Sequence, residues 1–78
     1  MATLPPAILS VFEADGHLQR LFVRGRWRTV RRVLAAWVVE GRWWGTPERR
    51  EYVRLEVDGL LLEAYRTDDG WHLAAILD

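Results

Sequence analysis

Side chains able to do chemistry are few in this 78-residue chain, and one stretch concentrates them. Six arginines stand between Arg20 and Arg32: Arg20, Arg24, Arg26, Arg28, Arg31 and Arg32. Four of the five tryptophans follow or interleave them, at Trp27, Trp37, Trp43 and Trp44. Guanidinium groups contact phosphate, and aromatic faces stack on bases. Tryptophan is equally suited to anchoring a partner protein. Arg24, Arg26, Arg28, Arg31 and Arg32, with Trp43 and Trp44, are therefore the candidate binding residues. Adjacent residues on a strand point to opposite faces, so one of Trp43 and Trp44 is expected in the core and the other outside. A plainer role competes with recognition. The tryptophans also suit the core of a very small fold, Trp27 and Trp37 above all, and the arginines suit pairing with the acids of residues 48–69.

Catalytic chemistry finds little else to use. There is no cysteine, and Ser10 is the only serine, with no G-x-S-x-G around it. His17 and His72 are the only histidines. Asp68 and Asp69 lie near His72 in sequence, but aspartates before a glycine serve turn geometry. Glu56 and Glu63 fall on adjacent strands of one hairpin, where pairing with Arg54 or Arg66 is the simpler role. The glycines stand singly, so no loop cradles a phosphate. The expectation is a non-enzyme with no catalytic residue, no metal, no cofactor and no small-molecule substrate.

The net charge is zero, but its distribution is uneven. Residues 1–39 carry six arginines against Glu13 and Asp15, a balance of +4. Residues 40–78 carry five arginines against nine acids, a balance of −4. Such asymmetry suits a basic face for a polyanion, or head-to-tail pairing of two copies. The neutral total argues against a dedicated nucleic-acid domain. MATLPPAILS has neither a charged leader region nor a long apolar run, and no apolar stretch is long enough to span a bilayer. A cytoplasmic protein is the expectation.

The elements that must position these residues read as strands. Residues 1–78 form one domain, with 1–6 an irregular lead-in set by Pro5 and Pro6. Ala7–Glu13 and Leu18–Val23 flank Asp15-Gly16, a tight-turn signal, and Arg24-Gly25 reads as the next turn. Glu51–Val57, Leu60–Arg66 and Trp71–Leu77 form a three-strand meander through Asp58-Gly59 and Asp68-Asp69-Gly70. In the first of these, Val53, Leu55 and Val57 point inward. Gly41–Arg50 reads as a break between elements, because of Gly45, Thr46 and Pro47. Arg26–Glu40 admits two readings. As a helix, about residues 29–39, it sets Val30, Val33, Leu34 and Trp37 on one stripe. As a strand, with or without a bulge, it puts Trp27, Val33, Ala35, Trp37 and Val39 on one face, and its Val and Trp content suits that state. The fold class is all-β: a strongly bent antiparallel meander of five to six strands, an SH3-like half-open barrel, with α+β as the alternative. A domain this size has a thin core, and self-association is one way to strengthen it.

The run FVRGRW with Val30, Val33-Leu34, Trp37 and GRWW, then REYVRLEV, Asp58-Gly59, LEAYR and the terminal GWHLAAILD, resembles a family of short bacterial proteins known as a domain of unknown function (the DUF6504 type). The same pattern is similar to the C-terminal module of ImuB-like Y-family polymerase homologues. The likeness spans about Phe22 to Asp78 and rests on Trp, Gly and turn positions, so it implies kinship of fold. None of the polymerase's catalytic carboxylates has a counterpart here. The resemblance implies an accessory module, linked to DNA repair or translesion synthesis, that contacts a protein partner or itself. The alternative is a weak DNA-binding module using the Arg20–Arg32 cluster.

Overall fold

The computed structural model describes residues 9–43 and 45–77, the side chain of Trp43 excepted. Six strands follow one another: β1 (Val11–Ala14), β2 (His17–Val23), β3 (Arg26–Trp43), β4 (Thr46–Val57), β5 (Leu60–Thr67) and β6 (Gly70–Ile76). They form one antiparallel sheet in sequence order, curled into a half-open barrel. No helix occurs among the described residues, so none is long and apolar enough to cross a membrane.

The helix alternative for residues 29–39 is therefore overturned. The segment lies within β3, which pairs with β4 from Val30↔Val57 to Trp43↔Thr46. Valine and tryptophan keep their side chains freer on a pleated surface than on a helix, and here the partner strand supplies the hydrogen bonds. The reading of Gly41–Arg50 as a break also fails. Gly41 pairs with Glu48 and Arg42 with Pro47, so both strands run on to a turn that includes Gly45. Pro47 is tolerated because it is the second residue of β4, ahead of Glu51, where pairing with β5 begins.

The first tight turn after β2 shows how the arginines are distributed. Arg24 has φ 52° and Gly25 φ 81°. Two successive left-handed residues match the twist of a two-residue hairpin, which takes Arg24 off the strand and onto the turn.

The core lies on the concave face. Leu21 and Val23 of β2 meet Leu55 and Val57 of β4 and Leu60, Leu62 and Ala64 of β5, with Leu9 beside them. Among the described residues, only Leu21, Leu55 and Leu62 are large side chains fully withdrawn from solvent. Closure between the ends of the sheet is slight. Leu9 N–H donates to the Trp71 carbonyl at 2.7 Å, and Trp71 Nε1 donates to Glu13 Oε1 at 3.2 Å.

Candidate interaction surfaces

The arginine row does not form a free basic face. The lower end of β3 is stitched to the β4–β5 turn. Arg28 donates through Nε to the Val23 carbonyl at 3.0 Å and through Nη1 to the Asp58 carbonyl at 2.7 Å. Arg31 pairs with Asp58 at 2.6 Å, and Arg32 with Glu56 at 3.0 Å. The hydrogen bond from Arg31 holds the Asp58 carboxyl below its ordinary range, helped by the Thr29 N–H and the charge of Arg26. Arg24 stands exposed on its turn. Arg31 and Arg32 thus serve the acid-pairing role that competed with recognition, and Arg28 bonds backbone carbonyls instead.

The acids of the second half are used in the same way. Arg54 reaches Glu63 Oε2 through Nε at 2.9 Å and Nη2 at 2.7 Å. Arg66 and Arg49 share Glu51, and Arg50 holds Glu48. Glu56 and Glu63 each have their own arginine and do not face each other as an acid–base pair; in the ladder they sit opposite Leu61 and Arg54.

Four rings line the convex face. Trp37, Tyr52, Tyr65 and His72 stand directly opposite one another on β3, β4, β5 and β6. Their centroids are 5.4, 5.1 and 4.9 Å apart in turn. The Arg50 guanidinium covers Tyr65 at 4.4 Å and Arg54 lies 5.7 Å from Trp37. Each such contact adds about 0.5–1.5 kcal/mol to plain burial. Burial beneath these groups raises the Tyr65 phenol above its usual pKa. His72 Nε2 lies 3.3 Å from Thr67 Oγ1, while its buried Nδ1 has no protein partner. No group of His, Asp or Glu among the described residues is arranged to hold a metal.

The tryptophans correct the expected core. Trp27 is 48% exposed. Its ladder partner is Phe22, which alternates with buried Leu21 and Val23 and so faces outward. Phe22 and Trp27 meet edge to face at 5.7 Å, and the Arg20 guanidinium lies 5.0 Å from the Phe12 ring and 6.0 Å from Trp27. Trp37 is half-buried in the convex ring row. Trp43 ends β3, and Trp44 lies outside the described residues.

The upper part of β3 has one unpaired edge. β2 pairs with β3 only over Arg26–Thr29. From Val30 to Trp43 the side of β3 turned away from β4 has no strand partner among the described residues. Among the described residues, three of the seven large apolar side chains that are exposed belong to this part: Val33 at 61%, Leu34 and Val38. Val33, Ala36 and Val38 also wall a cleft of about 380 Å³ in the mouth of the half-barrel, with Leu18, Val53 and Trp71. An unpaired edge offers a row of N–H and C=O groups to any extended chain. The sequence signal for it was the run VLAAWVV, which carries no charge or proline to deter pairing.

Comparison with family models, curated proteins and solved structures finds no match to this chain.

Proposed function

We propose that this protein is a non-enzymatic interaction module that receives an extended protein segment along the open edge of β3. The observation that carries the reading is the unpaired length of β3 from Val30 to Trp43 together with the exposed Val33, Leu34 and Val38. Main-chain hydrogen bonds would supply affinity in such strand addition, and alternate side chains would supply selectivity. The resemblance to the C-terminal module of ImuB-like homologues adds a setting, a cytoplasmic DNA-repair or translesion-synthesis complex.

Selection of displayed peptides on the folded domain tests this directly. Peptides that bind should be extended, should shift the amide resonances of residues 33–40, and should lose binding to Val38→Lys. Peptides that map elsewhere, or a domain that selects none, would remove the reading.

A second reading has its own observation, the exposed Phe12, Phe22 and Trp27 around Arg20. Rings interleaved with a guanidinium make a stacking platform for single-stranded nucleic acid, with Arg24 and Arg26 near its end. Oligonucleotides should then quench tryptophan fluorescence at low salt and release it as salt rises. Absence of quenching at low salt ends this reading.

A further inference from the structure

We propose that the open edge of β3 takes the C-terminal tail of a partner protein, an apolar extended segment that runs antiparallel to β3 and ends with its free carboxylate at Arg20; this rests on the reading of β3 as a docking edge. The shape of the opening sets the first condition. Arg20↔Thr29 is the pair of β2 and β3 farthest from their connecting turn. Beyond it β2 continues as Gln19, Leu18 and His17 with no partner on β3. A wedge therefore opens between the two strands, and the cleft of about 380 Å³ lies in it, with His17 and Leu18 on one wall and Val33, Ala36 and Val38 on the other. A long strand cannot follow β3 past Thr29, because β2 already holds that place. An occupant must stop at the apex of the wedge, and a chain terminus does so without a turn.

Charge decides which terminus. Arg20 stands exposed at the apex, on the strand pair that closes it. Its guanidinium lies by the Phe12 and Trp27 rings and has no carboxylate among the described residues. Arg31 and Arg32, by contrast, reach Asp58 and Glu56 on the β4 side of β3. An arginine without an acid can grip a carboxylate through two parallel N–H donors. A terminal ammonium at the same place would meet like charge. At the wide end of the wedge the sign reverses. Glu13 and Asp15 stand exposed beside the β1–β2 turn, with no arginine on either among the described residues. They repel a carboxylate there and suit a basic residue earlier in the tail. A chain that enters at the wide end and finishes at the apex runs antiparallel to β3, which is also the more stable ladder.

The cleft sets the side chains of the tail. Successive residues of a strand point to opposite faces, so every second one enters the cleft. There it meets Val33, Ala36 and Val38 beside Leu18, Val53 and Trp71, and must be apolar. From Arg32 to Val38 the edge runs roughly 20 Å, so about seven residues fill it. Capture of a C-terminal carboxylate then supplies what main-chain pairing lacks, a preference for one end of one chain.

Two libraries of random octapeptides test this on the folded domain, one displayed with free C-termini and one with the same positions followed by a Gly-Ser linker. The free-ended library should yield binders with apolar residues at alternate positions, and the linked library far fewer. Each binder, synthesised with an acid or an amide end, should bind at least about tenfold more tightly as the acid. Arg20→Ala should cut that preference to about twofold by weakening the acid alone, and Arg24→Ala, on the β2–β3 turn, should leave it. A spin label on the amino end of the peptide should broaden the amides of Val38 and Val39 more than those of Gln19 and Arg20. Equal binding of acid and amide, a preference undiminished in Arg20→Ala, or a label closer to Gln19 and Arg20 each overturns the proposal. If peptides dock on residues 33–40 whatever their ends, the carboxylate site fails and the docking edge stands. If neither library yields a binder, both fail together.

Discussion

The two ends of β3 are made from similar residues and end in opposite situations. At the lower end, Arg28, Arg31 and Arg32 look like a surface built for a partner, yet they hold the fold together through Val23, Asp58 and Glu56. At the upper end, Val33, Leu34 and Val38 look like core, yet they face solvent. The cause is the length mismatch between β3 and β2. β2 reaches only to Thr29 of β3, so beyond it β3 has a strand partner on one side alone among the described residues. Residue type therefore misleads in both halves, and what decides each residue's role is which strand stands next to it.

Substitutions can break or sharpen this contrast. The largest effect is expected at Leu55, fully buried opposite Val33: Leu55→Ala should lose about 2–5 kcal/mol in chemical denaturation, since a cavity opens in a core with little to spare. Arg28→Ala should follow at about 1–3 kcal/mol, because two backbone carbonyls lose their donor. A negligible loss there would mean that the lower end is not stitched as described.

The third test uses pH. Asp58 has its folded pKa lowered by Arg31, against about 3.9 unfolded. Its contribution is thus present above the unfolded pKa and is lost as pH falls from about 5 through 4 and below. The urea midpoint of the wild-type chain should decline over that range, and Asp58→Asn should flatten part of the decline. The smallest effect is expected at the upper end. Val38→Lys should change stability by no more than about 0.5 kcal/mol while abolishing capture of selected peptides, which separates a docking role from a structural one.

Much of the fold was legible in the sequence. Asp15-Gly16, Arg24-Gly25, Asp58-Gly59 and Asp68-Asp69 each mark a turn, and Val53, Leu55 and Val57 alternate as an inward row should. The β3–β4 hairpin was not legible, because Gly41, Gly45 and Pro47 are the residues that usually interrupt strands. Nor was the facing of β3. Simple alternation puts Val33 and Trp37 on one side, but the irregularity at Leu34 turns Val33 to the concave face and leaves Trp37 beside Tyr52 on the convex one. The candidate site was half legible: the Phe22–Trp44 stretch does carry the open edge of β3, but Arg28, Arg31 and Arg32 within it are bonded to the fold. Burial of Leu21 and Val23 forced Phe22 and Trp27 outward, a consequence of register that composition cannot reveal.

Amide hydrogen exchange across residues 33–40, followed as a selected extended peptide is added, tests the open edge of β3 most directly. Amides that point away from β4 should exchange fast in the free protein and become protected as the peptide docks, while the amides bonded to β4 change little. Exchange that is slow without peptide would show the edge already covered, and exchange that stays fast at saturating peptide would show that the edge receives no strand.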